Sequence, residues 1–172
     1  RLDQHMKQRV AGTWETILTV ASNDSLIDAV TSALKNSDAG VMRLFEYTVT
    51  RGVNGQIDMG AASQIIHKTH DNYGRAGEIY AKFLGTNHVR VKADVLQCLI
   101  SLGKAMKLDP RERFWFCCAA TLITGAYYAN QLKLVDIDLA GLTRLCKKTI
   151  EDMRGTRVEL NSDVKSKESV WN

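Results

Sequence analysis

The sequence predicts a mainly α chain, with two short strands ahead of a helical bundle. Three observations carry that expectation. The chain holds a single proline, Pro110, in 172 residues, which leaves room for long helices with few interruptions. Phe114, Trp115, Cys118, Ala119, Leu122, Ile123 and Ala126 recur at the i, i+3, i+4 spacing of a buried helical stripe. Ahead of these lie two short runs that read as strands: 14–20, where threonines and β-branched residues alternate with apolar ones, and 44–49.

The elements follow in order. Residues 4–11 read as a frayed helix or a loop. Asn23 or Asp24 caps a helix over 25–35, whose Leu26, Ile27, Val30, Ala33 and Leu34 share one face. The run 36–40 breaks that helix, and 51–55, with two glycines and an asparagine, is a turn. Beyond Ile57 the pattern turns helical, with helices expected at 59–70, 73–84, 88–107, 111–131 and 137–154. Asp71 and Asn72 cap the second of these, and Asp109 caps the fourth. Pro110 fills that helix's first position, where no amide hydrogen is needed. The helix over 111–131 is apolar on more than one face, which makes it the central member of the bundle. Asp136 caps the last helix, whose stripe is Leu139, Leu142, Leu145, Cys146, Ile150 and Met153. From Gly155 on, the polar composition reads as a linker or tail, with Trp171 an odd residue near its end. The chain thus divides into 1–56, a bundle over 57–155, and a tail over 156–172.

Composition narrows the function classes. No stretch is long and apolar enough to cross a membrane, so no membrane partner is expected. The polar, charged opening reads as no signal peptide, and the expected location is cytoplasmic. A first residue of Arg1 rather than Met suggests a piece of a longer polypeptide. The net charge of +4 permits contact with nucleic acid without demanding it. Cys98, Cys117, Cys118 and Cys146 match no zinc or C-x-x-C spacing and read as small buried thiols. His67 and His70 share a helical face beside Asp71, but two ligands do not specify a zinc site. No metal site is expected.

The residues that suit chemistry are Asn23, Arg43 and Arg75. An amide at a strand tip can orient a water or touch a phosphate oxygen, and a guanidinium can neutralise charge on a transferring phosphoryl group. From spacing and composition alone, Asn23 reads first as a helix cap, and Arg43 as a surface arginine at a strand start. Arg75 lies between Gly74 and Gly77 in a segment that fits neither a Walker A loop nor a dinucleotide fingerprint. Those glycines read as small residues letting two helices approach, with Arg75 placed to meet a phosphate or an acid. Arg111, Glu112, Arg113, Phe114, Trp115 and Phe116 form a charged first turn followed by core aromatics, or a base-stacking platform beside arginines. Lys147, Lys148, Arg154 and Arg157 form a loose basic cluster that suits a helix C-terminus or a nucleic-acid contact.

The blocks WETILTVASNDSL, MRLFEY, DNYGRAGEIYAKFL and RERFWFCCAATLITGAYYANQLKLVDIDL occur in that order. Together they resemble the C-terminal half of P-loop ATPases of the primase–helicase kind in tailed phages and prophages. The resemblance implies that residues 1–56 are a remnant of an ATPase core. Asn23 would then hold the sensor-asparagine place at a strand end, Arg43 would be the arginine of the following block, and the helices would form a lid. It implies ATP and Mg2+ as cofactors of the full-length protein, DNA (single-stranded) as its track, a homo-oligomeric ring, and a bacterial host cytoplasm. The chain departs from the pattern by having no G-x-x-x-x-G-K-S/T and no apolar run ending in paired acids. Alone it is therefore not expected to hydrolyse ATP. The alternative is a non-enzymatic helical adaptor that binds protein or DNA. A third reading is a metal or thiol enzyme built on the His and Cys residues.

Overall fold

The structure, a computed structural model, describes residues 18–33, 38–48 and 59–169. Its helices are α1 (Leu26–Ala33), α2 (Asp38–Val41), α3 (Met59–Asp71), α4 (Arg75–Thr86), α5 (His88–Met106), α6 (Arg113–Gln131) and α7 (Leu139–Ser169). A 3-10 turn, Pro110–Glu112, leads into α6. The mainly α expectation holds. Four of the five long helices begin and end within two residues of the expected bounds, and α7 is the exception.

The expected strands are not seen. Residues 14–17 lie outside the described residues, but 18–20 and 44–48 are described and form no strand. A strand is stable only when its ladder is paired and one face is covered. Leu18 is 84 % exposed and Val20 52 %, so the β-branched residues there have no surface to cover. Residues 44–46 serve α1 instead. Glu46 Oε2 accepts hydrogen bonds from the amides of Leu26 (2.9 Å) and Ile27 (3.0 Å), and so satisfies two of the orphan donors at that helix's start. Ser25 Oγ accepts from the Asp28 amide at 3.2 Å. The cap is therefore shared by Ser25 and Glu46, rather than supplied by Asn23 or Asp24. The expected break over 36–40 is partly helical, because 38–41 form α2. The turn at 51–55, Trp171 and the segment 4–11 lie outside the described residues.

α6 is the central helix. Its Trp115, Phe116, Ala119 and Ala120 are wholly buried. Around them gather Leu102 of α5, Cys146, Ile150 and Met153 of α7, and Ile27, Val41 and Met42 from the α1–α2 region. Each large apolar side chain buried there stabilises the fold by about 2 kcal/mol. The α1–α2 pair is tight: a Cβ on Gly40 would lie 3.2 Å from Val30 Cγ1.

α4 lies along the C-terminal half of α6. The Tyr80 hydroxyl donates to the Gly125 carbonyl at 3.0 Å, and the rings of Phe83 and Tyr128 meet at 5.0 Å. The Tyr128 hydroxyl in turn donates to Asp94 of α5. Gly74, at φ +82°, makes the left-handed step into α4, and nothing lies within 4 Å of a Cβ at Gly74 or Gly77. These glycines therefore serve a turn and open space, not a close helix approach. Asn72 closes α3 through the Lys68 carbonyl, 2.8 Å away, instead of capping α4.

The later connections follow the expected chemistry more closely. Asp109 caps the 3-10 turn in a capping box with Glu112, and Pro110 opens it. Asn130 pins the 132–138 loop, donating to the Ile137 carbonyl at 2.8 Å and accepting from its amide at 2.9 Å. α7 starts at Leu139, three residues beyond the expected Asp136 cap, with the Leu142 amide bonded to the Asp138 carbonyl. It also continues through Gly155 to Ser169, where a tail was expected. A glycine inside a helix costs only about 1 kcal/mol, too little to stop a helix already nucleated by packing. None of the helices among the described residues is long and apolar enough to cross a membrane.

Candidate functional site

The residue order Arg111-Glu112-Arg113 sends its acid one way and its arginines the other. Glu112 is 4 % exposed. Its carboxylate receives two bonds from Arg154 of α7, Nε to Oε1 at 2.9 Å and Nη2 to Oε2 at 2.6 Å. Arg154 also donates to the Met106 carbonyl at 3.0 Å and toward the Lys107 carbonyl at 3.4 Å, closing the C-terminal end of α5. Its guanidinium lies 5.7 Å from the centre of the Phe116 ring. The hydrogen bond it donates to Glu112 holds the Arg154 pKa above its usual value. Arg154 is thus a bolt joining α5, α6 and α7, not a member of an open basic cluster. Lys148 is exposed, and the side chain of Arg157 lies outside the described residues.

On the outer side, Met42, Arg43, Pro110, Arg111, Arg113, Phe114 and Cys117 line an open groove of about 350 Å³. The α1–α2 unit delivers Arg43 to it. Val41 and Met42 are buried against the core, and the turn after α2, closed by the Arg43 amide on the Gly40 carbonyl at 3.0 Å, leaves Arg43 exposed at the rim. Arg111 is oriented by Asp109 through Nη2–Oδ2 at 2.7 Å and Nε–Oδ1 at 3.1 Å. Arg43 and Arg113 form no ion pair with any acid among the described residues. Arg113 is also the first residue of α6, at the positive end of the helix dipole, where a cation is disfavoured. Three arginines therefore line one groove at a helix start, where the backbone favours an anion. Phe114, 36 % exposed, presents an aromatic surface beside them.

Of the sequence-predicted site residues, the groove takes in Arg43 alone. Asn23 is exposed in the bend before α1 and is not a lining residue. Arg75 is exposed at the start of α4, whose anchors reach the Gly125–Tyr128 part of α6 rather than its beginning. The sequence reading noticed Arg111 and Arg113 but did not join them to Arg43. The like-charged start of a helix with no acid in its own first turn was the available signal.

The remaining candidates resolve into structural roles. His67 lies 3.5 Å from Asp71 on the exposed face of α3, and no group of three metal-ligating side chains occurs among the described residues. All four cysteines are free thiols. Burial pushes the pKa values of Cys98, Cys118 and Cys146 up, which opposes the thiolate that nucleophilic chemistry needs. Compared with family models, curated proteins and solved structures, the chain matches none.

Proposed function

We propose that this chain is a non-enzymatic helical module that binds single-stranded nucleic acid through the groove at the start of α6. The observation that carries the reading is that Arg43, Arg111 and Arg113 line one groove with Phe114, Arg43 and Arg113 forming no ion pair among the described residues. Guanidinium groups neutralise successive phosphates, and an exposed ring accepts a base by stacking. A duplex keeps its bases stacked on one another and gives Phe114 nothing to hold.

Fluorescence anisotropy with a labelled oligothymidine tests this. Single-stranded DNA is expected to bind more tightly than duplex of the same length, with a log–log salt slope near −2 if three phosphates are neutralised, at about 0.7 each. Unchanged binding by an Arg43→Ala, Arg113→Ala double variant would remove the groove from the reading.

A second reading is favoured by the exposure of Arg43 and by its forming no ion pair among the described residues. In a longer protein of the replicative ATPase kind, that guanidinium would neutralise the γ-phosphate of ATP–Mg2+ held elsewhere, in a neighbouring subunit of a ring. Arg43→Ala in such a full-length protein would then abolish turnover while leaving nucleotide binding largely intact. Normal turnover would exclude it.

A further inference from the structure

α5 presents a second surface, on a different side of the helix from its core contacts. Leu102 is buried, and Val95, Cys98 and Leu99 pack against the core. At about 100° per residue, Val89, Ala93, Leu96, Ile100 and Gly103 fall on one outward seam. Val89 is 72 % exposed, Leu96 55 % and Ile100 42 %. Three exposed lysines accompany the seam: Lys92 on one flank, Lys104 on the other, and Lys107 at its C-terminal end. None of the three forms an ion pair among the described residues. The only carboxylate on α5, Asp94, is taken up by Tyr128 and Arg90. Near its end the seam opens into a depression of about 560 Å³ lined by Leu99, Ile100, Gly103, Lys104, Lys107 and Leu108. A Cβ on Gly103 would lie 3.4 Å from the Leu108 side chain.

We infer that this face of α5 docks an amphipathic helix of a partner protein, apolar along its contact seam and acidic on its flanks. A continuous apolar row on a helix, left in water, is what helix-in-groove recognition uses. The lysines select the sign of the partner. From residue 89 to residue 107 the face runs about 27 Å at a rise of about 1.5 Å per residue, the length of a five-turn partner helix. One large apolar side chain of that helix fills the depression beside Gly103. A second copy of the same face suits the surface poorly, because it brings more lysines and no carboxylate of α5 to the seam. Nucleic acid suits it poorly as well, because the seam between the lysines offers no polar group to a phosphate.

The probe is a synthetic helical peptide of about 18 residues, with leucines at i, i+3, i+4 and i+7 spacing and glutamates flanking them. Its twin carries lysines in place of the glutamates. Titration of the full chain is expected to show at least tenfold tighter binding of the acidic peptide. Leu96→Asp is expected to abolish that binding. Lys104→Glu with Lys107→Glu is expected to reverse the preference between the peptides, and it alters only exposed side chains, so the fold is kept. Far-UV circular dichroism and melting accompany each variant. Equal binding of the twins, no binding of either, or binding unaffected by Leu96→Asp would overturn the inference. So would self-association of the wild-type chain that Leu96→Asp abolishes, or loss of oligothymidine binding in the Leu96→Asp variant. The inference is independent of the arginine groove, and the Arg43→Ala, Arg113→Ala variant is expected to bind the acidic peptide normally.

Discussion

Glu112 and its two neighbours make opposite use of charge within one turn of backbone. On the inner side, Glu112 and Arg154 satisfy each other in a two-point contact that also closes the end of α5. On the outer side, Arg111 and Arg113 join Arg43 around a groove with more cations than acids. The inner pair spends its charge on holding three helices together. In the outer set Arg43 and Arg113 form no ion pair among the described residues, at a helix start where an anion is favoured. The difference shows that the partner of a charge, more than its presence, separates a structural group from a binding one.

The largest effect expected from breaking this contrast lies on the inner side. Glu112→Ala removes the carboxylate from beneath Arg154 and one arm of the capping box. It is expected to lower stability by roughly 3 kcal/mol in urea unfolding, the partial exposure of Arg154 keeping the loss at the low end of the range. Oligothymidine affinity of the folded variant should stay within about threefold, since a charge-assisted contact of about 1.5 kcal/mol or more would register as at least tenfold.

On the outer side the effects are expected to reverse. Arg43→Ala with Arg113→Ala should weaken oligothymidine binding by at least about tenfold and flatten the salt slope by about 1.4, with the urea midpoint barely moved. A fall in stability matching that of Glu112→Ala would erase the distinction between the two sides. Arg113→Ala alone sharpens it further. Removing a cation from the positive end of α6 is expected to raise stability by about 0.5 kcal/mol while binding weakens, and differential scanning fluorimetry alongside anisotropy reads both signs at once.

The smallest effect concerns pH. Cys98, Cys118 and Cys146 bind their protons more tightly in the folded chain than in water because burial disfavours the thiolate. Unfolding then releases protons once the pH passes the ordinary thiol value, so stability is expected to decline as pH rises through 9 and above. Below that value both states are protonated and the thiols contribute no slope. Urea midpoints measured between pH 7 and pH 10 check the direction.

Much of the helical frame was legible. The stripe from Phe114 to Ala126 and the Asp109-Pro110 start located α6 and its lead-in turn, because both signals are local. The strands were misread for the opposite reason. The composition of 44–49 reports a propensity, while the fate of residues 44–48 was decided by Glu46 reaching back to Leu26 and Ile27. The end of α7 was set too early because polar composition beyond Gly155 does not by itself unwind a helix. The site was half legible. Arg43 was singled out, but its neighbours Arg111 and Arg113 sit far along the chain and meet it only through the burial of Val41 and Met42. Arg154 could not be separated from Lys148 by sequence, since nothing local says which cation finds Glu112.

Holding α1 by the carboxylate of Glu46 ties two remote stretches into one cooperative unit. The Leu26 and Ile27 amides give up protection from hydrogen–deuterium exchange only when residues 44–46 swing away. Their exchange rates therefore read out the detachment of the segment that carries Arg43 to the groove, and any ligand that clamps the arginine should slow both amides together.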